Sequence, residues 1–121
     1  MKAFFDTNIV IDLLAGHPPA LTEAALYTEA AISRITWMEV LIGAPDAGTQ
    51  AKRESFLDQF VVVEMDESVC REAIQLRQQH RIKLPDALIW GSAVTWGAEL
   101  ITRNTKDVAP GTPGIRIPYT R

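Results

Sequence analysis

The chain has 121 residues, 47% of them hydrophobic and 22% charged, and carries a net charge of −3. That length suits one compact domain, and that apolar content argues against disorder. The acidic balance argues against a protein that coats nucleic acid through a broad basic field, and the lone cysteine, Cys70, excludes an internal disulfide.

No apolar run is long enough to span a bilayer, and the apolar N-terminal stretch is broken at Asp6, unlike a signal peptide. A cytoplasmic location and no membrane partner are expected. Ala3-Phe4-Phe5 reads as a short buried strand. Ile9, Val10, Leu13 and Leu14 follow at helical spacing, and Gly16-His17-Pro18-Pro19 ends that helix. Leu21 to Tyr27 reads as a second short helix, and Ala31 to Ser33 as a second strand. Thr36 to Ile42 is a helix closed by Gly43 and Pro45, and a polar helix follows from Gln50 to Gln59.

Phe60 to Met65 is a β-branched run of strand length. Asp66 to Gln79 is an amphipathic helix with Val69, Ala73, Ile74 and Leu76 on one side. Pro85 starts an apolar helix through Trp96, because proline suits the first helical turn and pushes Leu84 out of the helical region. Glu99 to Thr102 is a strand, and Ile115 to Ile117 a last edge strand. Strands alternating with helices predict a parallel α/β sheet covered on both faces, with ligands beyond the carboxyl ends of its strands.

The acidic and amide residues fall at just those ends. Asp6 follows the first strand, Glu39 lies in the first turn of a helix after the second, Asp86 lies in the first turn of the apolar helix, and Asn104 and Asp107 follow the fourth strand. Several carboxylate oxygens on one sheet edge suit a hard divalent cation. Each residue also has a plain structural reading. Asp6 could mark an ordinary helix entry capped by Thr7 or Asn8. Thr36 and Glu39 match a capping box. Asp86 suits the positive end of a helix dipole, and Asp107 a surface turn. It is their common placement that favours a site.

Other chemistries are poorly supplied. His17 and His80 have no partner at metal-ligand spacing, one cysteine cannot build a zinc site, and neither a P-loop nor a G-x-S-x-G elbow is present. Trp37, Trp90 and Trp96 read as core rather than as a base-stacking platform.

Three segments, "FFDTNIVIDLL", "ISRITWMEVLIG" and "KLPDALIWGSAVTWGAELITRNTKDV", resemble the PIN-domain ribonucleases in order and spacing over nearly the whole chain. Among these the likeness is to the VapC toxins of bacterial type II toxin–antitoxin (VapBC) pairs. The resemblance implies a single PIN domain over residues 1–121, a three-layer α/β/α fold with a central five-stranded parallel sheet. It implies a Mg²⁺- or Mn²⁺-dependent endoribonuclease acting on tRNA or rRNA, a cognate VapB-like antitoxin, and a homodimer.

Carried over residue by residue, Asp6 and Asp86 match metal-binding acids and Glu39 the glutamate that positions or deprotonates the attacking water. Asn104 or Asp107 completes the shell; Asn104 stands where many relatives carry aspartate, and Val108 where phenylalanine is common. Thr7, Asn8 and Thr102 would orient the carboxylates or meet phosphate. Three rival readings stand beside this one. A phosphotransfer or receiver-type protein also clusters acids at parallel strand ends, with Asp66 as its candidate acceptor, but Lys106 is poorly placed for it. A non-catalytic module with a decayed site is motivated by Asn104. A PIN-type RNA-processing nuclease would need no antitoxin.

Overall fold

The strand β1, Lys2–Phe5, buries both of its faces: Phe4 points to one side, Ala3 and Phe5 to the other, and all three are at most 1% exposed. A strand apolar on both faces must lie inside a sheet covered by helices on both sides. The computed structural model describes all 121 residues and places β1 there.

After β1 come α1 (Thr7–Leu14), α2 (Pro18–Ala24), β2 (Glu29–Ser33), α3 (Arg34–Ile42), α4 (Ala47–Leu57) and β3 (Val61–Val63). Then follow α5 (Glu67–His80), α6 (Leu84–Trp96), β4 (Leu100–Ile101) and β5 (Ile115–Arg116). The five strands form one parallel sheet in the order β3-β2-β1-β4-β5. This is the three-layer α/β/α architecture that the resemblance implied.

Two cores flank the sheet. Phe4, Ala31, Leu100 and Ile115 pack with Ala73 and Leu76 of α5 and Ala87, Trp90 and Ala93 of α6. Phe5, Ile32 and Ile101 pack on the other side with Ile9, Val10, Val40, Leu57 and Phe60. Burying a side chain the size of Phe4 or Phe5 contributes about 2–3 kcal/mol. Gly91 lets α5 and α6 touch: a Cβ there would stand 3.0 Å from the Val69 carbonyl oxygen and 3.1 Å from the Ala73 amide nitrogen.

Several local expectations need correction. The N-cap of α1 is Asp6 itself, which accepts from the Thr7 amide at 2.7 Å, and neither Thr7 nor Asn8. The capping box at Thr36 and Glu39 does not form: the N-cap of α3 is Ser33, three residues before Thr36, because β2 runs straight into the helix. Thr36 is fully buried and Glu39 stands in the second helical turn. Pro18 and Pro19 follow the end of α1 but open α2, where their missing amides cost nothing, so this helix runs earlier than Leu21 to Tyr27.

Leu84 is the first residue of α6 rather than excluded from it; Lys83 takes the extended cap conformation instead. Ile74, expected on the buried side of α5, is 54% exposed. The apolar run at 60–65 pairs only over Val61–Val63, since β3 is an edge strand. Trp90 and Trp96 are packed into the α5/α6 core and Trp37 against the other, as expected.

Candidate active site

The strand order reverses between β1 and β4, where the chain leaves in opposite directions along the sheet. Parallel sheets open a crevice at such a point, beyond the carboxyl ends of the strands. The Asp6 amide closes the ladder by donating to the Ile101 carbonyl at 2.9 Å, so the residues after β1 and β4 leave the sheet side by side. A narrow cavity there is lined by Asp6, Ile82, Asp86, Trp90, Leu100, Thr102, Asn104, Asp107 and Val108. The most spacious recess, about 560 Å³, lies beside Met1, Lys2, Gly97 and Arg116 at the opposite ends of the strands and gathers no acids beyond Glu99.

Burial pushes the Asp6 carboxyl up to about 6. The Thr102 hydroxyl and the Thr7 amide pull it back in part, while Asp86 and Glu39 add repulsion. The Asp86 carboxyl is also raised, first by burial and then by Asp107 and Glu39, with Lys83 opposing. The acids therefore lie within electrostatic reach of one another. Like charges about 4 Å apart cost roughly 1 kcal/mol in water and 4 kcal/mol at an effective dielectric of 20. They do not close on one point as a ready cage of three or more donors. Magnesium does not need one, because it keeps several waters and is usually held by one or two carboxylates together with phosphate. Oxygen donors in partial burial, with charge left over, fit such an ion.

The polar neighbours are arranged in two short chains. The Thr7 hydroxyl donates to Glu39 Oε1 at 2.7 Å and lies 2.9 Å from the Thr36 hydroxyl. Thr7 has only one hydroxyl proton, so Thr36 must be the donor between them. The chain runs one way: Thr36 to Thr7 to Glu39. Glu39 itself is exposed and stands outside the cavity lining.

On the other side, Asn8 Nδ2 donates to the Thr102 hydroxyl at 3.0 Å and Asn8 Oδ1 accepts from the Arg103 amide at 3.3 Å. The Asn104 amide also donates to Thr102 Oγ1, at 3.1 Å. The Asn104 side chain accepts from the Lys106 amide at 2.9 Å and donates to Asp107 Oδ2 at 3.0 Å. The structure thus brings Asp6, Asp86, Thr102, Asn104 and Asp107 to one cavity, sets Glu39 at its rim, and uses Thr7 and Asn8 as braces.

A second set of charges lies outside the residues predicted for the site. Asp12 is 1% exposed and accepts from Arg103 Nε at 2.6 Å, Arg103 Nη2 at 3.3 Å, Tyr119 Oη at 2.8 Å and Arg121 Nη1 at 2.7 Å. Burial pushes its carboxyl up, but the hydrogen bonds from Arg103, Tyr119 and Arg121 outweigh it and hold it below the usual range. Glu23 is likewise buried, held low by Arg116 and also bonded by Tyr27. A carboxylate inside the apolar run "IVIDLL" was the available signal for Asp12, since buried acids are seldom unpaired.

A family model described as "PIN domain" matches residues 3–108. With that match and the fold and site above, the chain belongs to the PIN domain family, whose toxin members are nucleases. It superposes on a toxin–antitoxin complex from Klebsiella pneumoniae with a TM-score of 0.91 and 40% identity, over 98% of this chain and 99% of that one. DNA-bound VapBC from Salmonella typhimurium matches with a TM-score of 0.79 and 26% identity, over 97% and 96% of the two chains. FitAcB from Neisseria gonorrhoeae shares the fold, with a TM-score of 0.76 at 21% identity over 98% of each chain. No curated protein matches the chain. No helix is long and apolar enough to cross a membrane.

Proposed function

We propose that this chain, acting as a single domain, is a divalent-metal-dependent endoribonuclease, the toxin of a toxin–antitoxin pair silenced by a cognate antitoxin. The observation that carries the reading is the uncompensated acidic cavity at the β1/β4 switch point, where burial and neighbouring acids raise the Asp6 carboxyl to about 6. Its likeness over nearly full length to the chain of a toxin–antitoxin complex supports the toxin role.

Asp6 and Asp86 would hold Mg²⁺ or Mn²⁺, and Asp107 would complete the shell. The chemistry supplied there by a bound divalent ion would be Lewis acidity toward a water and a phosphoryl oxygen. Asn104, held by the Lys106 amide, aims Asp107 by its own hydrogen bond and takes the place of an acid as a positioning group. Thr102 steadies Asp6 through its hydroxyl. Glu39 orients the attacking water and accepts its proton, with its carboxylate fixed by the Thr36–Thr7 chain. An antitoxin would block the cavity by presenting an Arg or Lys to the same unpaired carboxylates. We place tRNA or rRNA as the substrate class and a homodimer as the assembly, both from the family likeness.

The test is cleavage of total RNA by purified protein with Mg²⁺, with Mn²⁺ and with EDTA. Cutting is expected with metal only, and Asp86→Asn should reduce it by about 100-fold or more. Cleavage that survives in Asp86→Asn, or in EDTA, sinks the assignment.

A further inference from the structure

Beside the acidic cavity lies a recess of opposite character. It is about 420 Å³ in volume and lined by Asn8, Arg103, Asn104, Thr105, Lys106 and Arg121, with no acidic and no apolar side chain. Asn104 belongs to both recesses, so the two are contiguous. We propose that this recess binds the phosphodiester backbone of a single-stranded nucleic acid next to the bond that is cut. The proposal rests on the nuclease reading for the identity of its ligand, and on local charge for its existence.

The charge follows from Asp12. Its two oxygens already accept four hydrogen bonds, from Arg103, Tyr119 and Arg121. Counted over side chains, one carboxylate thus faces two guanidiniums, with one positive charge left over. Arg103 spends Nε and Nη2 on Asp12, which leaves Nη1 unbonded; Arg121 spends only Nη1. Their side chains stay 27% and 46% exposed. Lys106 enters none of the ion pairs and adds a second positive charge.

Guanidinium groups pinned from behind by a buried acid, with free N–H groups turned out, are pre-ordered for phosphate oxygens. The arrangement also answers a difficulty. A chain of net charge −3, with acids at its cavity, repels a polyanion in bulk. A local cationic recess beside the acids lets the strand settle while the bond to be cut crosses them. No apolar or aromatic side chain lines the recess, so it would track backbone and leave bases unread.

The proposal is tested by binding without cleavage. Fluorescently labelled single-stranded RNA and DNA of equal length are titrated with the intact protein in EDTA, by anisotropy, across a range of salt. One lost phosphate contact lowers the slope of log K against log salt by about 0.7 for single strands, which at 50 mM salt is a loss of roughly fivefold to tenfold. Lys106→Gln is expected to show that loss on RNA and DNA alike. Lys52→Gln, the same charge change on α4 and outside the recess, should show none. Equal effects of the two substitutions would mean diffuse attraction, and an unchanged slope in Lys106→Gln would mean no contact; either overturns the proposal. If wild-type protein fails to cut RNA with metal while Lys106→Gln still loses slope, the nuclease reading fails and the phosphate site stands.

Discussion

Asp12→Asn removes the charge that ties α1 to the segment after β4 and to the C-terminal residues. Asn keeps the size but turns one acceptor oxygen into a donor, which then faces N–H groups and Tyr119. Breaking a fully buried ion pair from one side costs about 3–5 kcal/mol. Here Arg103 and Arg121 keep 27% and 46% of their side-chain exposure and regain some hydration, so about 2–3 kcal/mol is expected. For a domain of this size that is roughly 8–12 °C in Tm.

The pH dependence has a definite sign. The folded Asp12 carboxyl lies below its ordinary value, so its contribution is full above the unfolded value near 4 and fades as pH falls through the folded one. Thermal melts by circular dichroism of metal-free wild type and Asp12→Asn should differ by that amount from pH 5 to 8 and draw together as pH falls below 4. A Tm difference under about 2 °C at pH 7, or one that does not narrow between pH 5 and pH 3, refutes the reasoning.

Two further expectations concern the site. Thr36→Val keeps volume but deletes the first donor of the chain to Glu39; one hydrogen bond of about 1 kcal/mol predicts a fivefold fall in kcat with KM nearly unchanged, restored by Thr36→Ser. Equal kcat in Thr36→Val and wild type would remove Thr36 from the positioning of Glu39. Asp6→Asn retains an N-cap but relieves a buried charge. Because the folded Asp6 carboxyl is raised to about 6, its ionised form destabilises the metal-free fold above that pH, and the penalty vanishes below the unfolded value near 4. Metal-free Asp6→Asn should therefore exceed wild type by about 3 kcal/mol at pH 8 and by little at pH 4, measured by urea unfolding; a less stable variant at pH 8 contradicts this.

Periodicity made the layers legible. The run from Ala3 to Phe5, the β-branched stretch around Val61–Val63 and the apolar α6 announced a sheet covered on both sides. The position of each acid at a junction then followed from the rule for parallel sheets, and the cavity gathers Asp6, Asp86, Asn104 and Asp107. Local signals misled where tertiary structure overrode them. The Thr36/Glu39 pair has capping-box spacing, but β2 delivers Ser33 to the helix start first, and Thr36 is spent on Thr7 instead. The arginine partners of Asp12 and Glu23 lie 91 to 109 positions away along the chain, so these ion pairs could not be read locally. Short-range patterns carry no trace of such pairings.

The strand order β3-β2-β1-β4-β5 has a bearing on time as well as shape. β1 leaves the ribosome before the other four strands, with Asp6 at its tip, yet it lies mid-sheet. One of its edges can pair early, with β2. The other stays bare until Leu100 and Ile101 arrive, and its Phe4 face stays wet until α5 and α6 exist. The switch-point cavity has no second wall before that, and Thr102, Asn104 and Asp107 are made later still. A half-synthesised chain is thus an unfinished tool: it holds Asp6, Glu39 and the Thr36–Thr7 chain, but neither Asp86 nor the residues after β4 that close the cavity. The same connectivity that opens a crevice in the finished protein also keeps it unassembled until the final fifth of the chain has emerged.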